Sequence, residues 1–323
     1  MINEWLVVTL AAQALTSSTP LVLAGCGELV AERAGVLNIG IEGMMLTGCI
    51  SAFAVTAMTG NGWLGLAAGM MSAMAMGAVF AVMAINARTD QIVAGMAINL
   101  LAVGASGVVW RYVQEHRLTD LPPTAGFERP WLDVAGLVDL PLVNLPLVNL
   151  PLVGPLVFNQ YGLSVATVGL LVVVWWLFRA TRLGVVIDAL GQAPEAAVAA
   201  GEPLRQWRWA AVLFAAGCAG AAGAFLSIMR THAFVPEMTG GKGFVVLALV
   251  MFGRWRVGWM AAGCLLFGLT DSVQQHLQSL PGSRAWPFQV FQVLPYVVAI
   301  AALACLSRSA PGPAALGKPW PTR

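Results

Sequence analysis

Apolar runs long enough to cross a bilayer recur along this chain with only short polar breaks between them, and that recurrence restricts what it can fold into. Such runs fall near residues 41–59, 63–87, 91–112, 161–179, 207–229, 257–275 and 288–306. A helix needs about 20 apolar residues to cross roughly 30 Å of hydrocarbon. Inside the bilayer the backbone must satisfy its own polar groups, so these runs fold as helices. Two further apolar stretches, 5–27 and 243–253, are interrupted or short. The expectation is an all-α, polytopic transmembrane bundle of about eight to ten helices, built as a single domain over 1–323. Broken or short helices in such bundles usually line a pathway.

Composition excludes the soluble alternatives. Hydrophobic residues make up 59% of the chain and charged residues 10%, where a soluble domain carries about 25% charged. Glycine, at 35 residues, persists inside the apolar runs, as suits helices that approach closely in lipid. Gly217, Gly220 and Gly223 form one such face. The net charge of +2 is spread singly between runs, which argues against nucleic acid. Cys26, Cys49, Cys218, Cys264 and Cys305 sit in apolar stretches without CxxC spacing, so they read as small buried residues and not as metal ligands. The opening MINEWLVV lacks a basic n-region and carries Glu4, so no cleaved signal is expected.

The densest basic cluster, Arg179, Arg182, Arg205 and Arg208, is cytoplasmic by the positive-inside rule, and the rest is oriented from it. Counting outward puts eleven basic residues inside, among them Arg33, Arg88, Arg254, Arg256 and Lys318, and six outside, including Arg230 and Lys242. This parity requires 243–253 to cross, and it leaves the N-terminus outside unless residues 1–40 hold two passes. The connection 113–160 holds Pro122, Pro123 and the internal repeat DLPLV, NLPLV, NLPLV. Proline every fifth residue forbids a regular helix, so an extended periplasmic excursion is expected there.

Catalytic signatures are missing. There is no HExxH, GxSxG or Cys/His cluster, and His116, His232 and His276 lie near span ends. No catalytic residue, cofactor or metal is assigned. Residues 312–318, GPAALGK, match the spacing of a phosphate-binding loop, but Pro319 follows where a Ser or Thr is needed, and no strand precedes it.

Two segments stand out from plain packing. In GELVAERAGVLNIGIEGMMLTG, residues 27–48, Glu28, Glu32, Arg33, Asn38 and Glu42 interrupt what should be continuous membrane helix. Charged groups at such depth normally face a bundle interior or a watery path, although an interfacial loop explains Glu28 to Arg33 as well. Asn38 and Glu42, four apart, would share a helical face. In RLGVVIDALGQAPEAAVAAGEPL, residues 182–204, Pro194 suits a first helical turn, Glu195 favours the dipole, and Gly201 can end the helix. A short capped helix in a cytoplasmic loop is a docking knob.

Both segments resemble those of ABC-importer permeases of the branched-chain amino acid and simple sugar type, and ERAGVLNIGIEGMMLTG is most similar to the nucleoside-transporter branch. QIVAGMAINLLAVG at 91–104, GKGFVVLALVMFGRWRVGWMAAGCLLFGLTDS at 241–272 and LPYVVAIAALA at 294–304 extend the resemblance over nearly the whole chain except the repeat. It implies a type II importer fold in a bacterial inner membrane. Two permease subunits, related and non-identical, would form the path, two ATP-binding cassette ATPases would drive it, and an extracytoplasmic binding protein would deliver the substrate. It further implies that the loop helix is the coupling helix, with Gly191, Pro194, Glu195, Ala196, Ala197 and Gly201 at the ATPase contact. One departure is Ala193, where the family usually has Asn before the proline, a lost cap worth about 1 kcal/mol.

Polar residues within the spans, Asn38, Glu42, Asn99, Asp271 and Gln274, are candidates for the translocation path, or each satisfies a neighbouring helix instead. Nucleosides are the leading substrate, with ribose-type sugars as the alternative. An ion-coupled secondary transporter relaying protons through Glu42 and Asp271, or a solute channel, remain readings from other classes.

Overall fold

The computed structural model describes residues 4–116, 121, 160–279, 287–306 and 312–318, and the regular structure of those residues is helical throughout. The helices are α1 (Glu4–Arg33), α2 (Ile41–Thr59), α3 (Gly62–Ala81), α4 (Gln91–Glu115), α5 (Gly162–Ala180), α6 (Arg182–Gln192), α7 (Pro194–Ala199), α8 (Leu204–Ala224), α9 (Lys242–Phe252), α10 (Val257–Ser279) and α11 (Phe288–Leu306). Single π-helical turns, Val82–Asn86 and Phe225–Arg230, extend α3 and α8. The proline repeat lies outside the described residues.

Among the described residues six helices are long and apolar enough to span a bilayer: Leu6–Arg33, Ile41–Thr59, Gly62–Asn86, Gln91–Glu115, Gly162–Ala180 and Leu204–Arg230. The sequence expectation breaks at the first of them. Residues 4–33 form one continuous helix despite Pro20, and the Ser18 and Thr19 hydroxyls fold back on the Leu15 carbonyl, each at 2.9 Å. Glu28, Glu32 and Arg33 therefore belong to α1, and the interfacial-loop reading of them fails. The helix breaks only at residues 34–40, where Gly35 takes a left-handed φ of 85°.

Caps fix several of the other boundaries. Asn61 accepts from the Trp63 and Leu64 amides ahead of α3, and Asp90 from those of Ile92 and Val93 ahead of α4. Gly60, left-handed at φ 69°, ends α2.

α8 is almost wholly enclosed, packed on α1, α2 and α3, while α1 also meets α9, α10 and α5. Backbones touch here. A Cβ on Gly48 would lie 2.7 Å from the Gly220 Cα, and one on Gly69 would lie 2.9 Å from the Gly48 carbonyl. Glycine lets α2, α3 and α8 meet without intervening side chains.

One end of the bundle gathers the breaks between helices. Arg33 reaches Asp188 and the Trp255 carbonyl, the Leu37 amide reaches Gln91, Arg205 reaches Asn86, and Arg208 reaches the Ala34 carbonyl. With α1 a single pass, its N-terminus lies at the opposite end.

Candidate functional site

α9 begins inside the bundle. Its 11 residues rise about 16 Å, roughly half the thickness of the hydrocarbon. The turn after it, Gly253 to Arg256, lies at the basic end, where Trp255 meets Glu32 and Arg33, so its first residue sits near mid-depth. The preceding turn needs Gly240 and Gly241 at φ 56° and 80°, conformations that glycine adopts freely.

Glu42 closes that exposed helix start. Its carboxylate accepts from the Gly241 amide at 2.8 Å and the Gly243 amide at 2.6 Å. A carboxylate at a helix N-terminus satisfies orphan donors and opposes the positive end of the dipole. Gly243 permits the approach: a Cβ there would lie 2.7 Å from the Glu42 backbone nitrogen and Cα.

Around this cap stands a charge cluster drawn from four helices. Arg230, at the end of the π turn after α8, pairs with Asp271 of α10 at 2.7 Å, and Gln275 donates to the same Asp271 oxygen at 3.0 Å. Lys242 lies within electrostatic reach of Arg230, Asp271 and Glu42. Tyr296 of α11 donates to the Gly240 carbonyl at 2.7 Å. Two acids, Glu42 and Asp271, thus face two bases, Arg230 and Lys242, so the cluster carries no net formal charge.

The other predicted path residues behave differently. Asn99 is spent on the α1–α2 break: its Oδ1 accepts from the Gly43 amide at 2.8 Å and its Nδ2 donates to the Ile39 carbonyl at 3.0 Å. Asn38 lies in that break, not on the α2 face with Glu42, so the shared helical face is corrected. Its amide donates to Glu28 at 3.2 Å. Gln274 is buried on α10, one residue before the Gln275 that braces Asp271.

Sequence reasoning missed Arg230, Lys242 and Tyr296, whose partners lie on other helices. The available signal was GGKG at 240–243, a lysine flanked by glycines at a helix start. Also underweighted was the pair Glu28 and Glu32, one turn apart on α1 and both fully buried. Glu32 accepts from Trp255 Nε1 at 2.5 Å, and one oxygen of each carboxylate has no hydrogen-bond partner among the described residues.

At the basic end, residues 182–204 fold as two helices where one was expected. Thr181 caps α6 by accepting from Gly184, and Pro194 opens α7 with Glu195 in its first turn. Ala193 makes no side-chain cap, and Gly201 takes φ 87°. Ala197 turns inward onto Leu190 and Leu204, leaving Glu195, Ala196 and Val198 exposed. Gly191 is buried, its Cα against the Arg33 carbonyl and Pro313. Arg33 ties this loop to the bundle: it pairs with Asp188 at 3.2 Å, donates to the Trp255 carbonyl at 2.8 Å and stacks on Phe178 at 4.1 Å. Burial pushes the Asp188 carboxyl up from its ordinary range, with the Arg33 charge pulling it back. Arg33→Lys keeps the charge and loses the fork and the stack. We expect it to lower solute uptake about tenfold, at unchanged protein level in membrane fractions, the equivalent of about 1.4 kcal/mol.

Cys26, Cys49, Cys218 and Cys264 are free and buried, as their apolar settings imply. The side chain of Cys305 lies outside the described residues.

Six apolar helices among the described residues, a half-helix and a half-buried polar cluster at its start define a multi-pass membrane permease. The family model described as "Branched-chain amino acid transport system / permease component" matches residues 10–303, and the chain belongs to that family. It is 41% identical over 269 residues to a Haloferax volcanii protein provisionally named as a glucose ABC transporter permease, covering 82% of this chain and 76% of that one. A guanosine ABC transporter permease of Bacillus subtilis is 29% identical, over 95% of this chain and 94% of its own. A nucleoside ABC transporter permease of Lactococcus lactis is 28% identical with the same coverage. No solved structure matches. The chain is an ABC transporter permease, a transport component of the kind these relatives are named for.

Proposed function

We propose that this chain is the membrane subunit of an ATP-driven nucleoside importer, with the substrate passing the Glu42, Arg230, Lys242, Asp271 and Tyr296 cluster. The observation that carries the proposal is the capped start of α9, a polar surface held at mid-depth by a network without net charge. Such a surface suits a neutral, hydroxyl-bearing solute, since a phosphate would meet as many acids as bases. Two relatives named for nucleosides align over nearly the full chain, which supports nucleosides as the cargo. A monosaccharide is the second reading, favoured by the more identical relative named for glucose.

In the same proposal α7 is the coupling helix, seated in a groove of an ATP-binding cassette subunit on the cytoplasmic side. A second, related permease completes the path and an extracytoplasmic binding protein supplies the cargo. Glu195 is exposed at the first turn of α7, so Glu195→Arg tests the contact without disturbing the core. ATPase co-purification is expected to fall about tenfold, and wild-type yield would refute the assignment.

The function itself is tested by uptake of labelled guanosine, uridine, ribose and glucose into vesicles bearing the full assembly. ATP-dependent uptake of guanosine and uridine is expected. Uptake of glucose alone selects the second reading, and equal uptake without ATP removes the importer reading altogether.

A further inference from the structure

The phosphate-loop look-alike near the C-terminus has a different employment. Residues 312–318 fold into consecutive turns, with the Leu316 amide on the Pro313 carbonyl at 3.0 Å, the Lys318 amide on the Ala315 carbonyl at 3.2 Å, and Gly317 at φ 72°. The Ala315 amide donates to the Gly191 carbonyl at 2.9 Å. Amides that would cradle a phosphate are therefore already engaged, and one of them satisfies a carbonyl in the last turn of α6.

Three separate elements meet on this short segment. Pro313 packs over Gly191 at the end of α6, since a Cβ there would lie 3.3 Å from the Pro313 Cβ. Ala315 packs on Gly35 in the α1–α2 break, with 3.4 Å to a Cβ built on Gly35. Gly312 fits against the Trp255 ring after α9, and Gly317 approaches Leu37. Pro313 and Ala315 are buried, while Ala314 and Lys318 are exposed.

We propose that residues 312–318 are a positioning strap that ties the α6–α7 loop to the α1–α2 break and the foot of α9. A displacement of the loop then carries Gly35 and Trp255 with it, and through them the break and the half-helix that meet at Glu42. The inference rests on the reading of α7 as the ATPase contact. Within that reading, the docking helix has two ties to the path, the Arg33 to Asp188 pair and this strap.

The test uses the full assembly in proteoliposomes and reads solute transported per ATP hydrolysed. Ala315→Arg places a long side chain where Gly35 leaves no room, Ala315→Gly keeps the backbone hydrogen bond to the Gly191 carbonyl, and Lys318→Ala is an exposed control. Ala315→Arg is expected to retain the ATPase and its basal hydrolysis while transport per ATP falls about tenfold, within the usual span of coupling energies. Ala315→Gly should restore it, and Lys318→Ala should leave it unchanged. Wild-type transport per ATP in Ala315→Arg overturns the strap, as does loss of the ATPase from the complex, which would make the segment a docking element. Should Ala315→Arg fail to accumulate, Gly312→Val, which crowds Trp255, decides by the same ratio: a fall supports the strap and a wild-type ratio overturns it. Absence of ATP-dependent uptake in the unmodified assembly would instead count against the importer reading beneath it.

Discussion

Replacing Glu42 with alanine is expected to abolish uptake while the protein still reaches the membrane. The carboxylate accepts two backbone amides, from Gly241 and Gly243, at the start of a helix that begins mid-bilayer. Hydrogen bonds to a charged group contribute about 1.5–3 kcal/mol each, so removing both withdraws roughly 3–6 kcal/mol from this one junction. No lipid group at that depth can replace them. The same change leaves Arg230 and Lys242 facing Asp271 alone, so the cluster gains a net positive charge. Uptake should fall by at least about a hundredfold, measured in the vesicle assay above. Glu42→Gln keeps one carbonyl acceptor and should retain intermediate uptake. Wild-type uptake by Glu42→Ala would show that the cap is not part of the path.

The second large effect concerns stability. Gly220→Leu is expected to prevent accumulation of folded protein, because a Cβ at this position would lie 2.7 Å from the Ala73 Cβ and 2.9 Å from the Met70 Cα. The obstacle is backbone, so no rotamer change relieves it. Overpacking usually costs about 1–3 kcal/mol, and moving a whole helix costs more. Gly220 also sits beneath Gly48, so α2 would be displaced along with α3. Gly217→Leu tests the distinction within the same face. Only Met74, a flexible side chain at 3.6 Å, lies near a Cβ there, and the variant should accumulate normally. The amount of folded protein in membrane fractions checks both, and equal accumulation of the two variants would refute the argument.

That contrast shows what the sequence made legible. Glycines spaced three apart predicted close packing, yet spacing alone gave Gly217, Gly220 and Gly223 equal standing, and only the second and third meet backbone. Apolar runs located most spans because hydropathy is a local property. The polar cluster was legible in half: Glu42 and Asp271 were visible as acids inside spans, whereas Arg230 and Lys242 read as outside charges. Their partners lie 41 and about 200 residues away in sequence, a distance no window detects. For Asn99 the sequence left two readings open, path or neighbouring helix, and its side chain bonds the Gly43 amide and the Ile39 carbonyl at the α1–α2 break, partners that sequence spacing does not reveal.

The burial of Glu32 also sets an order of manufacture. Its hydrogen-bond donor, Trp255, is encoded 223 residues later, which at usual elongation rates is roughly 10 to 45 seconds of synthesis. Throughout that interval the first helix carries Glu32 without the tryptophan that satisfies it, and an acid buried without a partner is costly. α1 thus finds its final setting only after the α9–α10 turn has been made, and its end at Glu32 waits for a partner that the helices before α9 cannot supply.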